Sequence, residues 1–246
     1  MVETIRNDSD QDGLQLKKGI NEESSKQIIS SISHELRTPL SIISSNLQLL
    51  QSWKGEIDED IRKETFDLCE EAIKSMSRFL DDIYFLNISN KGELKKEIEK
   101  VDLLKYFNTL VKEFAFSEFD EQRLKLSFEF KEDIVFVDKE LLKRIMYNVI
   151  SNALKFSPDD VDVNVCSNDH QIMIDVSDKG IGIDKEELEL VFEPFFRGNN
   201  VKMISGTGLG MSIVKKSLDC MGGKIELESN IGKGTNVKII IPTNGK

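Results

Sequence analysis

Ser31-Ile32-Ser33-His34-Glu35-Leu36-Arg37-Thr38-Pro39-Leu40 reads as part of a helix with two unlike faces. With Ile32 at zero and about 100° per residue, Leu36, Leu40, Ile43, Leu47 and Leu50 fall within about 80° of it. They form one apolar stripe. His34 lands opposite the stripe, with Thr38, Ser41 and Ser45 on its side and Glu35 and Arg37 flanking it. An exposed imidazole titrates near neutrality and keeps a free ring nitrogen, so it can act as a nucleophile. The adjacent Glu35 carboxylate can orient the ring or accept its proton. Pro39 removes one backbone bond and is expected to bend the helix one turn past the histidine. The alternative is an ordinary surface histidine on an amphipathic helix.

The remaining chain must supply partners for this stripe. Its 246 residues suffice for one large domain or two small ones, and 39% apolar residues are adequate for a core. A net charge of −11 without a basic stripe argues against nucleic acid and against anionic membrane surfaces. Cys69, Cys166 and Cys220 are scattered without metal-like spacing, which fits a reducing cytoplasm. No apolar run is long enough to span a bilayer, and the polar, acidic start does not resemble a signal peptide. The expected location is cytoplasmic, with any sensing domain or membrane anchor outside these residues or on another protein.

Residues 1–21 are polar and lack a sustained period, and are expected to be a linker or a frayed start, with room for a few helical turns from Leu14 onward. A first helix is expected from about Asn21 to Gln51 and a second from about Asp58 to Ile88, joined by a turn at Gly55 to Asp58. The second helix carries a wide apolar stripe through Ile61, Leu68, Cys69, Ala72, Met76, Phe79, Leu80, Ile83 and Leu86. A lone antiparallel hairpin cannot cover both stripes, whereas two copies can form a four-helix bundle, so a homodimer is expected. Ser89-Asn90-Lys91-Gly92 breaks the pattern and divides a helical domain, 22–90, from a mixed domain, 91–246.

In the mixed domain, strands are expected over 97–101, 124–130, 134–137, 161–166, 171–177, 224–229 and 236–241. Helices are expected over 103–118, from the cap Asp138 to Phe156, and over 211–220. The result is an α+β sandwich, with an antiparallel or mixed sheet covered by helices on one face. His170 falls in a hairpin turn with no partner in view.

Three segments of this domain suggest chemistry. Asn148, Asn152 and Lys155 share a helix face, followed by Phe156. Amide oxygens suit Mg²⁺ and Lys155 suits a phosphate, although a solvated face has the same composition. Asp178-Lys179-Gly180-Ile181-Gly182-Ile183 follows a strand: its glycines permit close approach, and its carboxylate can accept from an exocyclic amine. A plain strand-to-loop turn is the alternative. Gly206-Thr207-Gly208-Leu209-Gly210 opens a helix whose first amides can bind phosphate. It follows no strand and lacks Gly-Lys-Ser/Thr, so neither the dinucleotide fingerprint nor the Walker loop applies. Between these segments, Phe192-Glu193-Pro194-Phe195-Phe196-Arg197-Gly198 and the polar 199–205 read as an aromatic-hinged lid or a pinned surface loop.

Jointly and in order, these stretches resemble the catalytic core of bacterial two-component sensor histidine kinases. Residues 33–40 resemble the family's H box, 148–156 its N box, 178–183 its G1 box, 192–197 its F box and 206–210 its G2 box. The resemblance covers residue 22 to the end. Phe156 stands where the family often has Tyr. The resemblance implies a dimerisation and histidine phosphotransfer domain followed by a Bergerat-type ATP-binding domain. It assigns His34 as phosphoacceptor and Glu35 as base or orienting carboxylate. Asn152 would ligate Mg²⁺, with Asn148 beside it or acting through water. Lys155 and Arg197 would face the phosphates, Phe156 would pack on the nucleotide, and Asp178 would bind the adenine amine in the loop shaped by Gly180, Gly182 and Ile183. Gly206, Thr207, Gly208, Leu209 and Gly210 would shape the phosphate end of the lid.

The chemistry implied is attack of His34 on the γ-phosphorus of ATP and transfer to an aspartate of a separate response-regulator receiver docked below His34. Thr38, with Glu35, matches a family pattern associated with dephosphorylating that partner. Two alternatives remain: an ATP-driven clamp of the Hsp90 or gyrase type, against which Asn148 and the H box argue, and a non-catalytic dimeric scaffold, distinguished by whether ATP binds.

Overall fold

The computed structural model describes residues 6–53, 57–115, 121–201, 204 and 206–243. The expected turn at Gly55-Glu56 and the end of the third expected helix lie outside the described residues. The chain divides into two compact units, Met1–Asp81 and Asp82–Lys246.

The first unit is a helical hairpin of α1 (Arg6–Ser52) and most of α2 (Glu59–Asn90). Helix α1 starts at Arg6, fifteen residues earlier than the expected Asn21. The reason is that residues 6–20 contain no proline and two separated glycines, Gly13 and Gly19, each a cost of about 1 kcal/mol rather than a break, so an established helix propagates through them without an apolar stripe. The expected stripe of α1 divides in two. Ile32, Leu36, Pro39, Ile43, Asn46 and Leu50, at alternating spacings of four and three, are its more sheltered positions. Leu40 and Leu47 are 52% and 46% exposed. On α2 the sheltered seam is Thr65, Cys69, Ala72, Met76 and Phe79, again at four and three. Phe66, Ile73 and Leu80, seven apart, are each more than half exposed. Pro39 is thus a buried seam residue, and the helix continues through it.

The second unit begins within α2 at Asp82. Its five-stranded mixed sheet runs β2 (Leu124–Phe130), β4 (Val161–Ser167), β5 (Gln171–Ser177), β7 (Gly234–Pro242), β6 (Lys224–Asn230). The β2–β4 pair is parallel and the others are antiparallel. A separate two-stranded ribbon pairs β1 (Glu99–Asp102) with β3 (Ile134–Val137). Alternate residues Val161, Val163, Val165, Ile172, Ile174, Val176, Val237, Ile239 and Ile241 are buried, which defines one covered face.

Helices α3 (Leu103–Ala115), α4 (Lys139–Phe156) and α5 (Gly210–Met221) supply the other half of this core. On α3, Leu103, Tyr106, Phe107, Leu110 and Phe114 are buried at helical spacing. Phe114 stacks on Tyr147 of α4 with centroids 5.2 Å apart, and Phe107 meets Phe128 of β2 at 6.0 Å. Helix α4 buries Leu142, Ile145, Met146, Val149, Ile150 and Ala153, and packs against α5. Its N-cap Asp138 is itself buried. One carboxylate oxygen accepts from Leu141 N at 2.9 Å and the other from Glu97 N at 2.7 Å. The last turns of α2 belong to this unit: Arg144 lies 4.7 Å over the Phe85 ring and 3.8 Å from Asp82. His170 is in the β4–β5 turn, closed by Asn168 Oδ1 accepting from His170 N and Gln171 N.

Candidate functional site

In the hairpin unit, α1 holds His34 with its side chain 76% exposed. Its Nδ1 lies 3.9 Å from Glu35 Oε1, so the carboxylate stands beside that edge of the ring, beyond direct hydrogen-bond distance. Thr38 and Ser41, one and two turns on, line the same concavity along α1, which also includes Ser45 and Asn46. Ser33 Oγ donates back to Ile29 O at 2.8 Å, while no such bond from Thr38 is present among the described residues. Pro39 cannot donate to the Glu35 carbonyl, so the helix ladder lacks one bond there.

In the second unit, four separated segments meet around the less buried face of α4. Asn148 Nδ2 donates to Arg144 O at 2.8 Å. Its Oδ1 faces Gly210: a Cβ on that glycine would stand 2.7 Å from the oxygen. Lys155 reaches Gly206 in the same way, since a Cβ there would be 2.7 Å from Lys155 Nζ. The ammonium is also 5.4 Å from the Phe156 ring centroid. Asn152 is one turn on from Asn148 and half-buried. The first and third glycines of 206–210 thus lie directly over the α4 face.

The loop 178–183 is anchored on both sides. Ile181 N donates to Phe156 O at 3.1 Å, and a Cβ on Gly180 would come within 2.2 Å of that oxygen, so the close approach requires glycine. Gly182 has φ +68° and backs against Asn230. Asp178 Oδ1 accepts from Gly180 N at 2.7 Å and Thr235 N at 3.3 Å, leaving Oδ2 available to a ligand amine. Burial pushes the Asp178 carboxyl up from its ordinary value, while those two N–H groups pull it down.

The segment 192–204 is pinned at several points. Phe195 N donates to Gly208 O at 3.0 Å, and Phe195 itself has φ +66°. Asn200 Nδ2 donates to Gly182 O at 2.9 Å, tying this segment to the glycine loop. Arg197 Nη2 donates to Val201 O at 3.0 Å and to Ile204 O, so in this structure its guanidinium braces the backbone of its own segment. Leu209 is fully buried, and its carbonyl receives Ile213 N and Ser212 Oγ. Thr207 Oγ1 accepts from Leu209 N at 3.3 Å.

Sequence reasoning passed over Ser229 and Thr235. Ser229 Oγ accepts from Ile183 N at 2.8 Å and lies 2.9 Å from Thr235 Oγ1. Thr235 O accepts from Asp178 N at 2.9 Å. Gly234, with φ +91° and only 1.9 Å from its would-be Cβ to Asp178 O, was the available signal, because a glycine followed by threonine entered β7.

Two family models match the chain. Residues 24–91 match the His Kinase A (phospho-acceptor) domain, and residues 137–245 match the histidine kinase-, DNA gyrase B- and HSP90-like ATPase. The chain belongs to the two-component histidine kinases. Among related proteins, sensor histidine kinase WalK of Bacillus subtilis is 28% identical over 225 residues, covering 88% of this chain and 36% of WalK. Histidine-protein kinase ArlS of Staphylococcus epidermidis is 28% identical over 238 residues, covering 93% of this chain and 50% of ArlS. This kinase core therefore spans between about a third and a half of these relatives' length. A solved chain of Acinetobacter baumannii histidine kinase AdeS shares the fold, with a TM-score of 0.64 at 22% identity over 86% of this chain and 98% of that solved chain. Among the described residues of this core, no helix is long and apolar enough to cross a membrane.

Proposed function

We propose that this histidine kinase core transfers the γ-phosphoryl group of ATP to His34 and then to an aspartate of a response-regulator receiver. The observation that carries the reading is the exposed His34, whose Nδ1 edge lies beside the Glu35 carboxylate. In the first step Nε2 attacks phosphorus, an N–P bond forms, the bond to the ADP oxygen breaks, and ADP leaves with the electron pair. The Glu35 carboxylate beside the ring stabilises the cation that forms.

Asp178 Oδ2 would accept the adenine amine, and the loop 178–183 would lie against the base with Phe156 beside it. Lys155 would meet the phosphates where Gly206 leaves room for its ammonium. Arg197 would join it when the lid rearranges around bound nucleotide. Thr207 and the amides at the start of α5 would cradle the phosphate tail. Asn148 Oδ1 and Asn152 form a neutral oxygen donor set that fits Mg²⁺, which keeps most of its waters and borrows phosphate oxygens. When bound, Mg²⁺ would neutralise charge on the transferring phosphoryl group.

The half-exposed Leu40, Leu47, Ile73 and Leu80 support a homodimer through the hairpin. The concavity beside His34 and Thr38 supports receiver docking there, with Thr38 placing a water for dephosphorylation. The free thiols of Cys69, Cys166 and Cys220 suit a cytoplasmic setting.

The test is incubation with γ-labelled ATP and Mg²⁺. Acid-labile, base-stable label retained on the chain and lost in His34→Gln is the expected result. Free phosphate release without protein label would point to a clamp ATPase, and full labelling of His34→Gln would refute the assignment.

A further inference from the structure

Arg123 lies outside every segment considered so far, in the short turn Glu121–Arg123 that leads into β2. Its half-buried guanidinium collects the exit of α4. Nη1 donates to Leu154 O at 3.2 Å, and Nη2 to Ser157 O at 2.5 Å and Asp159 O at 2.8 Å. Nε adds a longer bond to Asp159 O at 3.3 Å. The last carbonyls of a helix have no partners within it; here one side chain, about thirty residues away in sequence, takes the Leu154 carbonyl of the last turn together with the carbonyls of the cap residue Ser157 and of Asp159 just beyond it.

Lys155 and Phe156 sit between the clamped carbonyls of Leu154 and Ser157. Phe156 O is used differently: it receives Ile181 N at 3.1 Å and sets the close approach of Gly180. Gly180 N and Asp178 Oδ1 are joined in turn at 2.7 Å. A continuous backbone path therefore runs from Arg123 through the end of α4 to the carboxylate of Asp178.

We propose that Arg123 is a positioning residue for the nucleotide site: by gathering three carbonyls it sets the pose of Lys155 and Phe156 and the height of the loop carrying Asp178. This rests on the reading of that site as the ATP site. A simpler role would be a cation at the negative end of the α4 dipole. That role needs only charge, and lysine fills it equally well. Three carbonyls in different directions need the planar fork of donors that lysine lacks.

The experiment uses the full chain with Arg123→Lys and Arg123→Ala, at a temperature where circular dichroism shows each folded. Titration calorimetry with ADP and Mg²⁺ gives affinity, and His34 labelling at varied ATP gives KM and kcat. Hydrogen exchange of the peptide covering 178–184 in nucleotide-free protein reports on the Ile181 amide. Arg123→Lys is expected to weaken ADP about tenfold and raise KM similarly, with kcat within about twofold. Exchange at Ile181 is expected to quicken. If Arg123→Ala fails to fold, Arg123→Lys alone decides. Unchanged ADP affinity or unchanged Ile181 exchange in Arg123→Lys overturns the proposal. Failure of the wild-type chain to bind ADP overturns the nucleotide reading, and the proposal with it, whatever the exchange shows.

Discussion

Replacing Asp178 by asparagine separates recognition from stability at the nucleotide site. The carboxylate uses Oδ1 for Gly180 N and Thr235 N, and the proposed role gives Oδ2 to the ligand amine. In Asp178→Asn the amide oxygen must take the Oδ1 place, or two backbone donors are left facing an NH₂ group. The other atom then becomes a donor, set against a donating ligand amine. The loss includes a hydrogen bond to a charged acceptor, worth about 1.5–3 kcal/mol, or about 10- to 150-fold in affinity. Donor against donor carries the expectation to the upper end, about 100-fold. The fold should change little, since both backbone bonds survive. The assay is calorimetric titration with ADP, beside urea unfolding of the same preparation. Affinity within about threefold of wild type, with normal unfolding, would refute the assignment of Oδ2 as the amine acceptor.

The same carboxylate gives a pH dependence. Its pKa in the folded chain is raised by burial above the ordinary 3.8. Its contribution to stability is therefore full below 3.8 and is lost as pH rises through the raised value. On the proposed role of Asp178, nucleotide binding should run the other way, because the ionised carboxylate is the stronger acceptor for the amine. Affinity should fall as pH drops through that raised value, before ordinary exposed carboxylates protonate, and Asp178→Asn should flatten this part of the profile.

Asn152→Asp should abolish most His34 labelling while the dimer persists, read by labelling and sedimentation together; normal labelling at low Mg²⁺ would remove Asn152 from the metal. Ile73→Glu with Leu80→Glu should give a monomer at micromolar concentration. Both side chains are about half exposed in one chain, so completing each burial contributes about 1 kcal/mol, and the substitution adds the cost of a buried charge. Thr38→Ala should keep most autokinase activity and lose most phosphatase activity, measured as decay of phosphorylated receiver beside the His34 labelling rate. Parallel loss of both would mean that Thr38 serves the helix rather than a water.

Much of this protein was legible in local pattern. The 3.6-residue period of α1, α2 and α4 and the two-residue period of β4 and β5 appear in the sequence, because side-chain direction follows from the next few residues. The opposition of His34 to Leu36 and Ile43, and the common face of Asn148, Asn152 and Lys155, follow from helix geometry alone. The start of α1 at Arg6 was not legible, since helix propagation needs no apolar stripe. Nor was the division of that stripe, because the angle on a wheel does not tell Leu40 from Ile43; only the presence of α2 beside one flank does. The parallel β2–β4 pair, the meeting of Asp178 with Thr235, and the grip of Arg123 on the end of α4 were decided by tertiary structure. Each depends on backbone N–H and C=O groups, which every residue carries alike, so their partners leave no mark in side-chain pattern. The exceptions are the glycines: at Gly180, Gly210 and Gly234 the missing Cβ records where another segment comes too close for any other residue.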